Sequence, residues 1–186
     1  MAGWPPGDVV RPEPGQVLHF SEDPHLRRFE PRVAPTSAEP EPLVWAVDAA
    51  NAPSYWFPRE CPRAMAWVRP GTTAEDRLAV LGPAADRVHV VEHGWLRRIL
   101  AVRLYAYRFD AAAFRPLGEP EPHAFVTDRA VVPLGPPEPV PDLLGLHAEA
   151  GIEVRLVRDL WPWWRTVTAS TAGFSGIRLR NAATAG

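Results

Sequence analysis

The most specific short motif in the sequence is HVVEH, from His89 to His93, which matches the inverted zinc-protease pattern H-x-x-E-H. Such a site needs both histidines on one helical face, a third ligand downstream and Glu92 as the general base. The valines in and before the motif instead predict a strand, in which the two histidines lie roughly 13 Å apart along the chain. We therefore interpret the match as a coincidence and predict no metal site.

A second candidate is Cys61, the only cysteine, which lies between Arg59 and Arg63 in FPRECPR. Two guanidinium groups could lower the pKa of the thiol and create a nucleophile. No histidine is near in sequence, however, and rigid prolines flank the cysteine, which favours a buried structural thiol in a turn. We predict that Arg59, Glu60 and Arg63 form an ion-paired network or an anion contact, with at least one of the two arginines partly buried and paired with a carboxylate. The alternative is an open guanidinium at the mouth of a cleft, available to a ligand phosphate.

The tryptophans of DLWPWWR, at positions 161, 163 and 164, could stack on a nucleobase. Stacking surfaces for nucleic acids usually accompany a basic groove, and the net charge of −2 predicts none. The indole rings are therefore predicted to belong to the hydrophobic core or to a partner surface. The sequence has no Gly-rich phosphate loop and no G-x-S-x-G nucleophile motif.

The remaining candidates are dispersed along the chain. His19 and Ser21 are two residues apart in VLHFS, so a strand places them on one face. Arg32 follows after a short turn, Tyr55 follows the second predicted strand, and Arg59 lies just beyond it. A histidine can donate to a ribose hydroxyl, and a tyrosine ring can stack on nicotinamide. The alternative is a surface histidine and a core tyrosine without a ligand.

Short elements must position these residues. Alternating or continuous apolar runs predict strands at 17–21, 43–48, 63–69, 87–91, 102–109, within 124–134, 152–157 and 176–181. Helices or helical turns are predicted at 24–32, 49–57, within 71–82, 92–100, 142–150 and 159–170. The helices are too short for a doubly wound parallel sheet. The predicted fold is α+β, with a curved antiparallel sheet or split β-barrel and short helices.

Length and composition favour one domain, because 186 residues can bury a substantial core. We place it at 17–182, after a flexible lead-in at 1–16 that is rich in proline and glycine and before a tail at 183–186. The net charge indicates no nucleic-acid or membrane partner and leaves a protein partner open. No signal peptide or membrane span is recognisable, and a single cysteine suits a reducing compartment, so we expect a cytoplasmic protein.

Three segments, VLHFSEDPHLRRFEPR, LVWAVDAANAPSYWFPRECPR and AGFSGIRLRN, resemble an uncharacterised bacterial protein family of unknown function. This resemblance covers nearly the whole of residues 17–182. At greater distance, the layout resembles the ADP-ribosyltransferase fold, in which a histidine on the first strand, a tyrosine after a later strand and a glutamate on a third strand form the site. His19 matches the first position and Tyr55 the second.

The third segment, HAFVTDRAVVP, departs from that pattern, because the glutamate position falls at His123 or Ala124. In the fold that the chain resembles, the glutamate orients the ribose and aids departure of nicotinamide. Glu121, Asp128 or Glu92 is available as a substitute. The departure leaves open a protein that binds a ligand without turnover.

The resemblance implies NAD or a related nucleotide as the ligand and, for an active enzyme, loss of nicotinamide and transfer of ADP-ribose. His19 would hold the ribose and Tyr55 would stack on nicotinamide, while Ser21, Arg32 and Arg59 would contact hydroxyl or phosphate oxygens. We therefore predict that the side chains of His19 and Tyr55 face one cleft. The alternative is a non-catalytic module that binds a small ligand or a protein, which the missing glutamate favours.

Overall fold

The computed structural model describes residues 11–33, 40–118 and 122–183. Short strands account for most of its regular structure. Within the described residues the strands are β1 (Gln16–Ser21), β2 (Val44–Ala46), β3 (Arg63–Trp67), β4 (Arg87–Glu92), β5 (Leu104–Asp110), β6 (Arg115–Leu117), β7 (Ala124–Thr127), β8 (Glu138–Val140), β9 (Glu153–Val157) and β10 (Gly173–Ile177). Most of them lie where alternating or continuous apolar runs predict strands, so the apolar pattern of the sequence is a good guide to this fold.

The helices are short. They are α1 (Ala74–Asp76), which continues as a π-helix (Arg77–Leu81), α2 (Leu96–Ala101), α3 (Leu143–Glu149) and α4 (Leu160–Thr168), with 3₁₀ turns at Ala52–Tyr55, His93–Trp95, Ala111–Ala113 and Leu179–Asn181. Aspartates begin two of them, as the sequence predicts. Asp142 accepts from the backbone N–H of Gly145, and Asp159 accepts from that of Trp161. No helix in the described part of the chain is long and apolar enough to cross a membrane.

The chain divides into two compact units, each built from two stretches of sequence. Unit 1 takes its described residues from Met1–Trp56 and Arg103–Pro141, and unit 2 takes them from Phe57–Val102 and Asp142–Gly186. The single domain at 17–182 stays a prediction. Most of the lead-in predicted at 1–16 and most of the tail predicted at 183–186 lie outside the described residues.

Unit 1 contains two three-stranded antiparallel sheets, with strand orders β1-β5-β8 and β2-β7-β6. Reciprocal backbone hydrogen bonds of 2.8 Å between Leu18 and Val47 connect β1 to the end of β2. The hydrophobic cluster of this unit consists of Val17, Phe29, Val44, Ala46, Tyr107 and Phe109. The aromatic rings of Phe29 and Tyr107 meet edge to face at 5.1 Å between centroids, a favoured arrangement for buried aromatics.

Unit 2 contains one four-stranded sheet, with strand order β10-β3-β4-β9. Its pairs are antiparallel except β4 with β9, which is parallel. Leu160 and Val167 of α4 join a buried cluster with small apolar residues of β3 and β4. A smaller cluster contains Phe57, Cys61, Val91 and Ile99.

The predicted α+β class is confirmed, with mainly antiparallel sheets and short helices. The described strands do not close into a barrel. Two local predictions are wrong. Residues 24–32 form a turn followed by extended chain, because Phe29 pairs with Val131 and Arg32 pairs with Leu43 through backbone hydrogen bonds. The last strand is Gly173–Ile177, and the second half of the segment predicted as a strand at 176–181 is the 3₁₀ turn.

Candidate functional site

His19 is the best-positioned of the predicted site residues. It lies on β1 opposite Tyr107 of β5 and is partly exposed. Its Nδ1 donates to the backbone carbonyl of Trp45 at 2.7 Å, because a carbonyl oxygen can only accept. The imidazole also meets the ring of Phe29 edge to face at 4.9 Å between centroids. Contacts from two other segments thus fix the orientation of the imidazole.

The other predicted site residues of unit 1 differ in their burial and in their contacts. Ser21 is buried near the end of β1, and its hydroxyl oxygen accepts from the N–H of Asp23 at 3.1 Å. Tyr55 is half-buried at the end of the 3₁₀ turn. The carboxylate of Asp48 accepts the backbone N–H of Asn51 at 2.9 Å, which fixes the start of this turn. Arg32 is exposed. The cleft shared by His19 and Tyr55 stays a prediction.

The three segments on which the sequence-based site prediction rests adjoin in unit 1. β1 meets the end of β2 through the Leu18–Val47 bridge, and β2 pairs with β7 along its length. The side-chain amide of Asn51 donates to the carbonyl of Pro122 at 3.3 Å, which ties the start of the 3₁₀ turn to the residues just before β7. Backbone pairing therefore brings together the strands of His19, Tyr55 and the third segment.

The structure places no carboxylate at the position where the resemblance leads us to expect a glutamate, residues 123 and 124. His123 is exposed just before β7, and Ala124 is buried as its first residue. Asp128 is exposed directly after β7, and so lies at the other end of that strand. Glu92 belongs to unit 2, where its carboxylate accepts the N–H of Ala183 at 3.0 Å. Glu121 lies outside the described residues.

Arg59 lies in unit 2, at an exposed turn that the hydrogen bond from Cys61 N–H to Pro58 carbonyl closes at 2.9 Å. The turn geometry predicted for FPRECPR is therefore confirmed. Arg63 is 3% exposed and donates to the Cys61 carbonyl at 2.9 Å, and its guanidinium lies 5.5 Å from the centre of the Phe57 ring. The burial predicted for one of the two arginines is confirmed.

The carboxylate of this turn pairs with other arginines. Glu60 lies 3.6 Å from the guanidinium of Arg178 and 3.8 Å from that of Arg180, and its carboxylate accepts the amide of Asn181 at 2.9 Å. That hydrogen bond, followed by the charges of the arginines, lowers the pKa of Glu60. Glu60 thus fastens the turn to the last 3₁₀ turn of unit 2, a structural role.

The HVVEH segment is a strand up to Glu92, as the valines predict, and His93 follows in an exposed 3₁₀ turn. The side chains of the two motif histidines therefore lack the helical spacing that a zinc protease requires. Among residues 11–33, 40–118 and 122–183, no group of three or more His, Cys, Asp or Glu side chains is arranged to hold a metal ion.

His89 instead belongs to a buried polar chain that the motif does not suggest. Arg87 Nε donates to His89 Nε2 at 3.0 Å, His89 Nδ1 lies 3.0 Å from His147 Nε2, and His147 Nδ1 donates to the Leu143 carbonyl at 2.6 Å. Both imidazoles have no exposed surface. In the sequence, His147 is one residue of an unremarkable helix, 58 positions from its partner, so pattern reading gives no signal for the pair.

The remaining candidate clusters are structural. Cys61 has no exposed surface, and burial raises the pKa of its thiol to about 12, so the chain holds it as a neutral thiol. Trp163 and Trp164 pack against the larger cluster of unit 2, and Trp161 donates its indole N–H to the Ala183 carbonyl at 2.8 Å. These contacts favour the core interpretation of the tryptophans.

A surface groove of about 400 Å³ lies in unit 1. Two stretches line it, the turn from Pro24 to Arg27 and the proline-rich loop with Val132, Pro133, Gly135, Pro136 and Pro137. None of the five predicted site residues lines this groove. Its walls are mostly proline and aliphatic side chains, with His25 and Arg27 as the polar groups.

Comparison with known proteins places the chain in a family. No curated protein and no solved structure matches it. The model of one family, described as a family of unknown function (DUF6886), matches residues 18–182. This span includes all five predicted site residues and nearly all of the described structure. The chain therefore belongs to this family of unknown function.

Proposed function

We propose that the protein binds a nucleotide, with NAD as the first candidate, at the end of β1 in unit 1. The observation that carries the proposal is the setting of His19, a partly exposed imidazole whose Nδ1–H is fixed on the Trp45 carbonyl. A histidine that is oriented by a backbone hydrogen bond is suited to recognise a hydroxyl group of a ligand.

The adjoining strands support the same proposal. β1 carries His19 and Ser21 on one face, and β2 leads into the 3₁₀ turn that ends at Tyr55. A tyrosine ring at such a position can stack on the nicotinamide or the adenine of a nucleotide. Arg32 is the proposed contact for phosphate oxygens within unit 1, since guanidinium groups bind phosphate through two parallel hydrogen bonds.

Binding without turnover is the second candidate, and a specific observation favours it. The position where an ADP-ribosyltransferase glutamate is expected holds an exposed His123 and a buried Ala124. Loss of nicotinamide develops positive charge on the ribose, and a nearby carboxylate stabilises that charge. The substituted position therefore favours a nucleotide-binding protein over an efficient transferase.

A thermal-shift and calorimetric titration tests the proposal with NAD, ADP-ribose, nicotinamide and ATP as separate probes. We expect NAD or ADP-ribose to raise the melting temperature of the protein and His19→Ala to weaken that binding by at least about tenfold, which corresponds to about 1.4 kcal/mol. His25→Ala is the matched control, because His25 is an exposed histidine of the same unit. Equal loss in both variants, or no shift with any nucleotide, would contradict the proposed site.

Release of nicotinamide from NAD, followed by chromatography, separates the two candidates. A transferase or NAD glycohydrolase releases nicotinamide in proportion to the enzyme added, and Tyr55→Ala should slow that release. A binding protein shows the thermal shift with no nicotinamide above the spontaneous rate. If Asp128 substitutes for the missing glutamate, Asp128→Asn should abolish release while preserving the thermal shift.

A further inference from the structure

The buried chain of Arg87, His89 and His147 in unit 2 has only one possible direction of hydrogen bonding. Arg87 Nε can only donate, so His89 Nε2 must accept and carries no proton. At the other end, the carbonyl of Leu143 can only accept, so His147 Nδ1 carries the proton. Both terminal groups thus fix the roles of the rings between them.

The protonation state of both imidazoles follows from these ends. The remaining bond joins His89 Nδ1 to His147 Nε2 at 3.0 Å and needs one donor and one acceptor. When His89 donates from Nδ1 and His147 accepts at Nε2, all four imidazole nitrogens have a partner, and both rings are neutral with the proton on Nδ1. Protonation of either ring turns one of these bonds into two donors that face each other, since the only bare nitrogens already accept.

We propose that this chain is an acid-sensitive latch that holds α3 on the sheet of unit 2. His147 is the buried residue of α3 that hydrogen-bonds β4, and Leu143 and Leu146 are its buried apolar neighbours. The ring of Phe57 packs on both imidazoles, with centroids 5.8 Å from His89 and 4.8 Å from His147. A proton on His147 Nε2 would face the N–H that His89 donates, and so would oppose the hydrogen bond between α3 and β4. A proton on His89 Nε2 would face the N–H that Arg87 donates. Acidification therefore weakens the hydrogen bonds through which His147 connects α3 to β4.

The charged groups around His89 also oppose its protonation. Burial lowers the pKa of His89, and His147 of α3, Arg87 of β4 and Arg63 of β3 lower it further. The residues that pair with His89 on the two neighbouring strands are Met65 of β3 and Val154 of β9, and neither carries a charge.

The sign of the pH effect follows from that lowered pKa. A histidine with a lowered pKa binds fewer protons in the folded state than in the unfolded chain. The stability that it confers is complete above the unfolded value of 6.5 and is lost as the pH falls below it.

Two measurements on the intact protein test the latch. Long-range ¹H–¹⁵N NMR at pH 7.5 should show His89 and His147 as neutral rings with the proton on Nδ1. A charged ring, or a proton on Nε2 of either ring, would overturn the proposal. This measurement needs no variant, so it decides the question even if substitutions at the buried chain prevent folding.

Hydrogen exchange followed by mass spectrometry measures the release of α3 directly. After correction for intrinsic exchange rates, protection of peptides from α3 should fall by up to about tenfold per pH unit below pH 6.5, while peptides from α4 keep their protection. His147→Phe should make the protection of α3 and α4 depend on pH in the same way. His93→Gln, which changes an exposed histidine of the same unit, should leave the selective loss of protection in α3 unchanged. Parallel loss of protection in α3 and α4 would indicate acid unfolding of the whole unit and would refute a latch on α3.

Discussion

The guanidinium of Arg108 forms a bidentate ion pair with the carboxylate of Glu138, with hydrogen bonds of 2.7 Å from Nε and 3.3 Å from Nη2. The two residues lie on the paired strands β5 and β8, and their side chains are 16% and 29% exposed. The same guanidinium donates to the carbonyl of Arg11 at 2.9 Å and to the side chain of Gln16. One arginine therefore connects the edge strand β8 with the chain that enters β1.

Arg108→Lys should reduce the free energy of unfolding by about 1–3 kcal/mol, because the ammonium group of lysine cannot form the two parallel hydrogen bonds of a planar guanidinium. Chemical denaturation measures the change. Arg28→Lys is the matched control, since the pair between Arg28 and Glu30 is 61% and 55% exposed and should contribute less than about 1 kcal/mol. If both replacements have the same effect, the ion pair of Arg108 has no special role in unit 1.

Much of this fold can be predicted from local sequence. The run before Asp110 is a strand whose apolar residues recur with period two, and VLHFS and RVHVV are strands rich in apolar and β-branched residues. Asp142 and Asp159 mark the beginnings of α3 and α4 because a carboxylate satisfies the free N–H groups of a first helical turn. These signals depend only on neighbours in sequence, so a single chain reveals them.

The errors arise where distant residues decide the local conformation. The segment around Leu26 is not helical, because the Tyr107 hydroxyl accepts the Leu26 N–H and donates to the Asp23 carbonyl, more than eighty residues away in sequence. The pairing of His89 with His147 is equally remote. Nothing within either local segment indicates its partner, so the sequence cannot supply these contacts.

Asp76→Asn should lower the melting temperature at pH 7. The carboxylate accepts the N–H of Thr171 at 2.8 Å and its hydroxyl at 2.5 Å, which fastens α1 to the residues before β10. The side-chain hydrogen bond from Thr171, followed by its backbone N–H, lowers the pKa of Asp76 below the usual 3.8. The stabilisation is therefore present above pH 3.8 and is lost as the pH falls further.

The difference in melting temperature between Asp76→Asn and the unaltered protein should consequently be constant from pH 7 to pH 5 and shrink below pH 3.8. Asp86→Asn is the control, because the side chain of Asp86 is 81% exposed and pairs with Arg77 alone among the ion pairs described. A constant difference through the acidic range would show that the carboxylate charge is not the cause.

Gly173→Ala should destabilise unit 2 by about 1–3 kcal/mol through overpacking. A Cβ atom at Gly173 would lie 2.3 Å from the indole nitrogen of Trp67, on the neighbouring strand β3, which is far inside van der Waals contact. Gly94→Ala is the control, because a Cβ there meets nothing within 4 Å. Denaturation midpoints compare the two, and equal effects would contradict the close approach of Trp67 to β10.

Cys61 should resist alkylation in the folded protein. Its side chain has no exposed surface, and burial raises the pKa of the thiol to about 12, although the charge of Arg63 acts in the opposite direction. At pH 8 the thiolate fraction is then lower than that of an unperturbed thiol by on the order of a thousandfold. Iodoacetamide labelling followed by mass spectrometry should therefore be slow and should rise only where denaturant unfolds unit 2.

An exposed thiol gives the reference rate for this measurement. Ala113→Cys in a Cys61→Ala background places a cysteine at an exposed position of unit 1, and it should react rapidly with the same reagent. Labelling of Cys61 in the folded protein at a similar rate would show an accessible thiolate between Arg59 and Arg63. That outcome would restore the nucleophile hypothesis that the buried geometry argues against, since a reactive cysteine needs both exposure and a lowered pKa.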